Sequence, residues 1–269
     1  MKASPQKILY DDYTWPEIKE AVQRDPVILL PVGSVEDHGP HLPLDCDNFL
    51  IGEMCHAAAQ RIPDQVLLMP PIPYGFEDHH MDFPGTISIQ PEHLMAFVLD
   101  ITKSLAHHGF RHILIADGHG SNMPILDLAA RKTVLETDAL CAVFIWPSLI
   151  KETIAELRES DRPGGMSHAA ELETSVYLYL RPNRVRMDQA KKEIGFPPSN
   201  FIWLDLVDKS PVSMMDWWSR ISQTGVIGDP TLATKEKGER FFEAAVSRLV
   251  DLIKEFRTME VRSRTDLHL

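Results

Sequence analysis

The sequence predicts one α/β domain in which helices cover both faces of a mainly parallel sheet. Four short aliphatic runs, each too short for a helix, alternate with stretches whose apolar residues recur at helical spacing. This alternation is typical of βαβ units, whose crossover helices bury both faces of a parallel sheet. The sequence contains no repeat, low-complexity tract or long linker, so a single domain is predicted over residues 1–269.

The predicted elements follow one another in a regular order. Strands are predicted at 27–32, 66–69, 112–116 and 140–146. One helix begins at Pro91 and ends at Gly109, and a second is capped by Ser121 or Asn122. A final helix runs from about Thr234 into the 250s with one apolar face. The stretch 191–222 is rich in proline and tryptophan and is predicted to be an irregular excursion from the core.

Composition excludes several classes of function. The formal net charge of −12 opposes binding to nucleic acid or to an anionic membrane surface. The three cysteines form no CxxC pair, which argues against a disulfide scaffold. We find neither a signal-peptide pattern at the N-terminus nor an apolar run long enough to span a bilayer. We therefore expect a cytoplasmic protein.

The first polar cluster directly follows the first predicted strand. In extended chain, the side chains of Glu36 and His38 point to the same side. Gly39 then interrupts the strand, so that the chain can return Asp45 or Asp47 to them. Carboxylate and imidazole together form a ligand set for Zn, Mn or Fe. A polar loop that binds only water is the alternative, but so many ligands at one strand end favour a hydrolytic metal site.

Two further histidines occupy comparable positions. His119 lies between two glycines just after the third strand, and Asp117 is a candidate partner that would fix its tautomer. His168 precedes Glu171 and Glu173 at a predicted helix start. On a helix His168 and Glu171 share a face, so we expect only Glu171 to accompany the histidine. Alternatively, both glutamates merely stabilise the positive end of the helix dipole.

Other polar and aromatic groups have less specific patterns. The stretch 77–86 is charged and rich in histidine but follows no clear strand, so we expect a loop beside the substrate. Cys46 is expected to be a buried small residue rather than a ligand. Trp217 and Trp218 could form a pocket lid, although a core or interface patch explains them equally well.

Together these motifs resemble those of the creatininase family of metal-dependent amidohydrolases. The matching segments are 30–43, 83–86, 117–122, 168–175 and 225–230, with Asp47 eleven residues after Glu36. They occur in the family's order and extend over nearly the whole chain. The resemblance implies a three-layer α/β/α sandwich and a symmetric homo-oligomer such as a hexamer.

The resemblance also implies two divalent metal ions in each subunit, Zn, Mn or Fe. Carried over residue by residue, Glu36 and His119 are ligands of one metal and His38 is a ligand of the other. Asp47 is the carboxylate that bridges the two. Such a pair of metals activates water at neutral pH and polarises a substrate carbonyl.

The remaining ligand varies within the family. Creatininase itself has a glutamate two residues after the histidine that matches His119, where this sequence has Ser121. Members with a Gly-His-Gly loop draw it from the later His-Ala-Gly-Glu segment, which here points to Glu171. His168 is expected to be the catalytic residue that gives a proton to the leaving nitrogen.

The departures from creatininase bear on the substrate. Creatininase has tyrosine, tryptophan and a substrate-contacting serine where this chain has Gly120, Gly164 and Glu77. We expect Glu77, His80, Gly120 and Ser121 to contact the substrate, and little activity on creatinine.

The predicted reaction is hydrolysis of a non-peptide or cyclic amide C–N bond in a small molecule. Formamide deformylation and lactone hydrolysis are alternatives at the same site, and the family also includes a peptidase. A catalytically inactive metal-binding scaffold is the alternative from a different class.

Overall fold

A four-stranded parallel sheet lies at the centre of the computed structural model, which describes residues 7–196 and 199–268. Its strands are β1 (Val27–Val32), β2 (Val66–Leu68), β3 (His112–Asp117) and β4 (Leu140–Ile145), in the spatial order β2-β1-β3-β4. Val32 pairs with Asp117, so β1 and β3 end at the same level. The polar segments that follow these two strands therefore emerge side by side.

Eight helices are present in the described part of the chain. They are α1 (Trp15–Val22), α2 (Cys46–Arg61), α3 (Pro91–His107), α4 (Met123–Glu136), α5 (Lys151–Leu157), α6 (Glu171–Leu180), α7 (Trp218–Ile221) and α8 (Lys235–Arg257). A short antiparallel pair, β5 (Met166–His168) with β6 (Ile227–Gly228), stands apart from the main sheet. Among these helices none is long and apolar enough to cross a bilayer.

Helices cover both faces of the main sheet because its side chains alternate between the faces. Leu30 of β1 belongs to a buried cluster with Leu94 of α3 and Leu126 of α4. Its neighbour Leu29 belongs to a cluster on the other side, which contains Leu50 of α2 and Val246 of α8. The predicted three-layer α/β/α arrangement with a parallel sheet is confirmed.

The stretch from 199 to 222 is irregular apart from α7 and packs back on the molecule. Arg158 anchors it through a bidentate contact with Asp205, at 3.0 and 2.7 Å, and both side chains are fully buried. Asp205 also accepts a hydrogen bond from the backbone N–H of Gly164. A buried two-point contact of this kind holds a loop in a defined place.

Candidate metal centre

The candidate site lies where the segments that follow β1 and β3 meet the first turn of α2. Two glycines permit this close approach. A Cβ at Gly33 would lie 2.4 Å from the side-chain oxygen of Asn48, and one at Gly118 would lie 2.8 Å from the carbonyl oxygen of Asp47. Because neither position carries a side chain, Asp47 can be placed between the two strand ends.

Glu36, Asp47 and His119 form the first group that could hold a metal ion, and all three are buried. Nδ1 of His119 lies 3.1 Å from Oε1 of Glu36 and 3.2 Å from Oδ2 of Asp47. Atoms bound about 2.0–2.2 Å from one tetrahedral metal lie roughly 3.4 Å from one another. The three donors therefore have the spacing of ligands that share an ion.

His38 joins the group from the other side of Asp47. Its Nε2 lies 3.3 Å from Oδ1 of Asp47, whereas His119 faces Oδ2 of the same carboxylate. Ser34 donates a hydrogen bond to Oδ2 and so fixes the orientation of the carboxylate. Each oxygen of Asp47 thus faces a different histidine.

The electrostatics of the cluster suit cations. Both carboxylate oxygens of Glu36, together with Nε2 of His38, are buried without a hydrogen-bond partner in the described part of the chain. Burial, reinforced by the nearby Glu77 carboxylate and opposed by His119, raises the pKa of Glu36 to about 8. Buried carboxylates are stable in ionised form only when paired or bound to metal. The donor set fits divalent metal ions.

His168 faces the cluster with one nitrogen only. Its Nε2 lies 2.8 Å from the backbone carbonyl of Asp37 and must carry the proton, because a carbonyl can only accept. Nδ1 is therefore unprotonated in the neutral ring, and it lies 3.5 Å from Oε1 of Glu36. Burial, together with His38 and His80, holds the pKa of His168 well below its usual value. The imidazole is thus neutral at pH 7.

The expectation that Glu171 accompanies His168 at the metals is wrong. His168 ends β5, Ala169 has a positive φ of 51°, and α6 begins only at Glu171. The spacing of three residues on one helix therefore does not apply. The Glu171 carboxylate turns away from the cluster, where it accepts from the backbone N–H groups of Glu159 and Ser160 and contacts Nζ of Lys237 at 2.6 Å.

Glu173 is the glutamate that the structure brings to the cluster. It is buried and lies in the wall of the site cavity beside Asp47. One of its oxygens accepts the N–H of Ala169 at 2.7 Å. Burial raises the pKa of Glu173 to about 7, an effect that His38 opposes and Asp47 reinforces. Both glutamates stand in the same sequence motif, so the sequence indicates that one of them reaches the cluster. The helical spacing rule selects Glu171, whereas the structure places Glu173 there.

Only some of the residues expected to contact the substrate line the cavity. His80, Gly120 and Ser121 line the cavity. Glu77 does not line it. It is fully buried and lies 2.7 Å from Nε2 of His119. Asp117 does not hold the imidazole of His119 as expected, because its carboxylate accepts the backbone N–H of that residue.

A cavity of about 340 Å³ opens above the cluster. Trp218 is buried in its wall and packs against His80 and His168, with ring centroids 4.5 and 5.3 Å away. The exposed Trp217 is not part of the wall. The remaining apolar lining includes side chains that the motifs did not single out, from after β4 and from the irregular stretch: Trp146, Pro147, Trp203, Leu204, Leu206.

Comparison with known proteins gives a consistent result. The family model described as creatininase, creatinine amidohydrolase, matches residues 11–253. The mycofactocin precursor peptide peptidase of Mycobacterium ulcerans (strain Agy99) is 34% identical over 236 residues, which are 85% of this chain and 84% of that protein. The creatinine amidohydrolase of Pseudomonas putida is 29% identical over 265 residues, 93% of this chain and 97% of that one.

Solved structures agree with the sequence matches. A structure described as creatininase Mn has a TM-score of 0.76 and 30% identity, and covers 93% of this chain and 98% of its own. A mutant creatininase of Zn-Zn type has a TM-score of 0.77 and 28% identity with the same coverage. With a family model that spans most of its length and a relative above 30% identity, this chain belongs to the creatininase family of metal-dependent amidohydrolases.

Proposed function

We propose that this protein is a binuclear metal-dependent amidohydrolase that cleaves a non-peptide or cyclic amide C–N bond of a small molecule. The observation that carries the proposal is the placement of Asp47, whose two oxygens face two different histidines at ligand spacing. Glu36 and His119 would bind one ion, and His38 and Glu173 the other. Zn, Mn and Fe all suit this mixed oxygen and nitrogen set.

When bound, such a metal pair polarises the substrate carbonyl and lowers the pKa of water. The protein then has to move one proton. The neutral His168 accepts it at Nδ1 from the attacking water, since Nε2–H is already committed to the carbonyl of Asp37. The same Nδ1 returns the proton to the leaving nitrogen as the C–N bond breaks. Oxygen from water is thereby added to the acyl carbon, and a free amine leaves.

Neighbouring side chains keep this proton carrier in place. The ring of His80 lies 4.7 Å from that of His168 and is held by the carboxylate of Asp37, which faces its Nδ1. Trp218 covers both rings, and its own indole N–H donates to the carbonyl of Gly225 at 2.9 Å. Excluding bulk water from the rings favours transfer of the proton between His168 and the reacting atoms.

A peptide amide bond is the second candidate. It is favoured by the 34% identical relative that is named as a peptide peptidase and by the cavity wall, where Met214 and Met215 remain 42% and 50% exposed. Flexible apolar methionines can adapt to a peptide side chain. An inactive scaffold is disfavoured, because the carboxylate and imidazole donors are present at ligand spacing.

One screen tests these alternatives. Metal-reconstituted protein is assayed on cyclic amides, acyclic small amides, formamides, lactones and short peptides, while its metal content is measured by elemental analysis. We expect two metals per subunit and the highest kcat/KM on a small amide. Preferred cleavage of peptides would instead support the second candidate, and bound metal without turnover of any of these substrates would support the inactive scaffold. The symmetric homo-oligomer and the cytoplasmic location remain predictions, the first of them open to analytical ultracentrifugation.

A further inference from the structure

Glu77 is a buried carboxylate that the proposed mechanism does not use. Both of its oxygens are inaccessible to solvent, and neither has a hydrogen-bond partner in the described part of the chain. The side chain lies under the loop that follows β3 rather than in the cavity wall. Its backbone N–H donates to Oγ of Ser88, and a Cβ at Gly75 would lie only 2.8 Å from its Oε1. The fold therefore holds Glu77 in a close-fitting place.

The contact that defines this place is with His119. Oε2 of Glu77 lies 2.7 Å from Nε2 of the imidazole, although the angle is not that of a hydrogen bond. An unprotonated ring nitrogen and a carboxylate oxygen repel each other at that distance. The contact is attractive only if Nε2 carries the proton. The lone pair of the neutral ring then belongs to Nδ1.

In this tautomer the lone pair of Nδ1 points at two carboxylates of the cluster. Nδ1 faces Oε1 of Glu36 and Oδ2 of Asp47, which are themselves acceptors. Nδ1 lies 3.1 and 3.2 Å from these two oxygens, so a cation, which is either a proton or a metal ion, has to lie between them. From this geometry we propose, building on the function proposed above, that Glu77 is the positioning residue of the metal centre, which fixes the tautomer and orientation of His119 and thereby strengthens one of its two metal sites.

Two substitutions and one control test the assignment. Glu77→Gln keeps the volume and one acceptor oxygen but removes the charge, while Glu77→Ala removes both. Asp78→Asn is the matched control, because it deletes a neighbouring negative charge whose side chain contacts Ser88 instead. For each protein, the affinities of both metal ions are measured by competition with a chelator. Thermal unfolding is recorded on the metal-free form, and correct folding is checked by near-UV circular dichroism.

We expect Glu77→Ala to weaken one metal site about 10- to 100-fold, the usual effect of losing the partner of a ligating histidine. Glu77→Gln should weaken it less, because the amide oxygen can still accept from Nε2. The metal-free Glu77→Gln protein should unfold at a higher temperature than the metal-free parent, since a buried carboxylate that has no hydrogen bond and repels the neighbouring Glu36 is gone. A purely structural role predicts the opposite shift. Asp78→Asn should leave both metal affinities unchanged.

Two outcomes would overturn the assignment. If Glu77→Gln and Glu77→Ala abolish one site to the same extent, Glu77 is itself a ligand. If both variants keep parental affinities, Glu77 does not act on His119 at all. These failures differ from a failure of the proposed function, in which the parent protein itself would bind no metal.

Discussion

Replacing the carboxylates of Glu171 and Glu173 by amides, one at a time, separates a structural glutamate from a metal-binding one. Glu171 is fully buried, and Nζ of Lys237 lies 2.6 Å from its carboxylate. Removing one partner of a buried ion pair costs about 3–5 kcal/mol in free energy of unfolding. Lys237 keeps Glu159 at 2.7 Å and the carbonyl of Leu232 at 2.9 Å, so the lower figure of about 3 kcal/mol applies to Glu171→Gln.

At roughly 2–4 °C per kcal/mol for a chain of this size, that loss lowers the melting temperature by roughly 6–12 °C. Glu171→Gln should nevertheless retain both metals, because its carboxylate points away from the cluster. Glu173→Gln should instead lose one metal and keep the stability of the parent. Its amide oxygen can still accept from Ala169 N–H, so α6 starts as before, but the charge that would bind the second ion is lost.

The assay pairs elemental analysis with thermal unfolding in the presence of a chelator. Glu173→Gln should fall from two metals to one per subunit, with a metal-free melting temperature equal to that of the parent or slightly above it. A slight rise is consistent with the pKa of about 7 that burial gives Glu173, since a charge that is hard to bury has been removed. The reasoning is refuted if Glu171→Gln loses a metal without losing stability, or if Glu173→Gln keeps both.

Further outcomes are expected at the same site. Asp47→Ala should disturb both metals in elemental analysis, whereas Asp45→Ala, which removes a half-exposed partner of a tyrosine hydroxyl, should leave the stoichiometry intact; the reverse would disprove the bridge. His168→Asn should keep the metals but lower kcat by about 10² to 10⁴, and loss of metal would make this histidine a ligand. Because the pKa of His168 is held below its usual value of about 6.5, kcat/KM should reach its plateau by about pH 6.5 and fall only in more acid solution, where the ring is protonated and cannot accept a proton. A plateau reached only in alkaline solution would contradict that role. Creatinine should be hydrolysed negligibly in a direct product assay, because Gly120 leaves open the space that a tyrosine fills in creatininase; turnover equal to that of the best amide would refute this.

The strands and the polar segments that follow them can be predicted from the sequence. Short aliphatic runs do not suit exposed helices, and parallel strands end at a common edge, so periodicity predicts that Glu36 and His119 follow strands at the same edge of the sheet, while the resemblance to the family associates them with one metal. Glycines at positions 33 and 118 are visible in the sequence as well. The sequence does not show why glycine is needed at these positions, because the backbone that approaches them belongs to another element, α2.

The choice between Glu171 and Glu173 depends on the backbone at two residues. The positive φ of Ala169 and the start of α6 at Glu171 rotate the motif by an amount that a helical spacing rule cannot anticipate. Glu77 differs from expectation for a related reason. A loop without periodicity gives no indication of where its side chains point, and only its packing under the loop that follows β3 turns this carboxylate towards His119.

The fold class, the family and the set of chemical groups at the site can therefore be read from the amino-acid sequence. Those properties depend on local periodicity and on the residue types that follow strand ends. Packing of the layers decides which carboxylates face the histidines and which tautomer His168 adopts. It also brings Trp203 and Trp218 from the irregular stretch into the cavity wall. These properties depend on contacts between residues far apart in the chain, whose directions are fixed only when the layers have packed together.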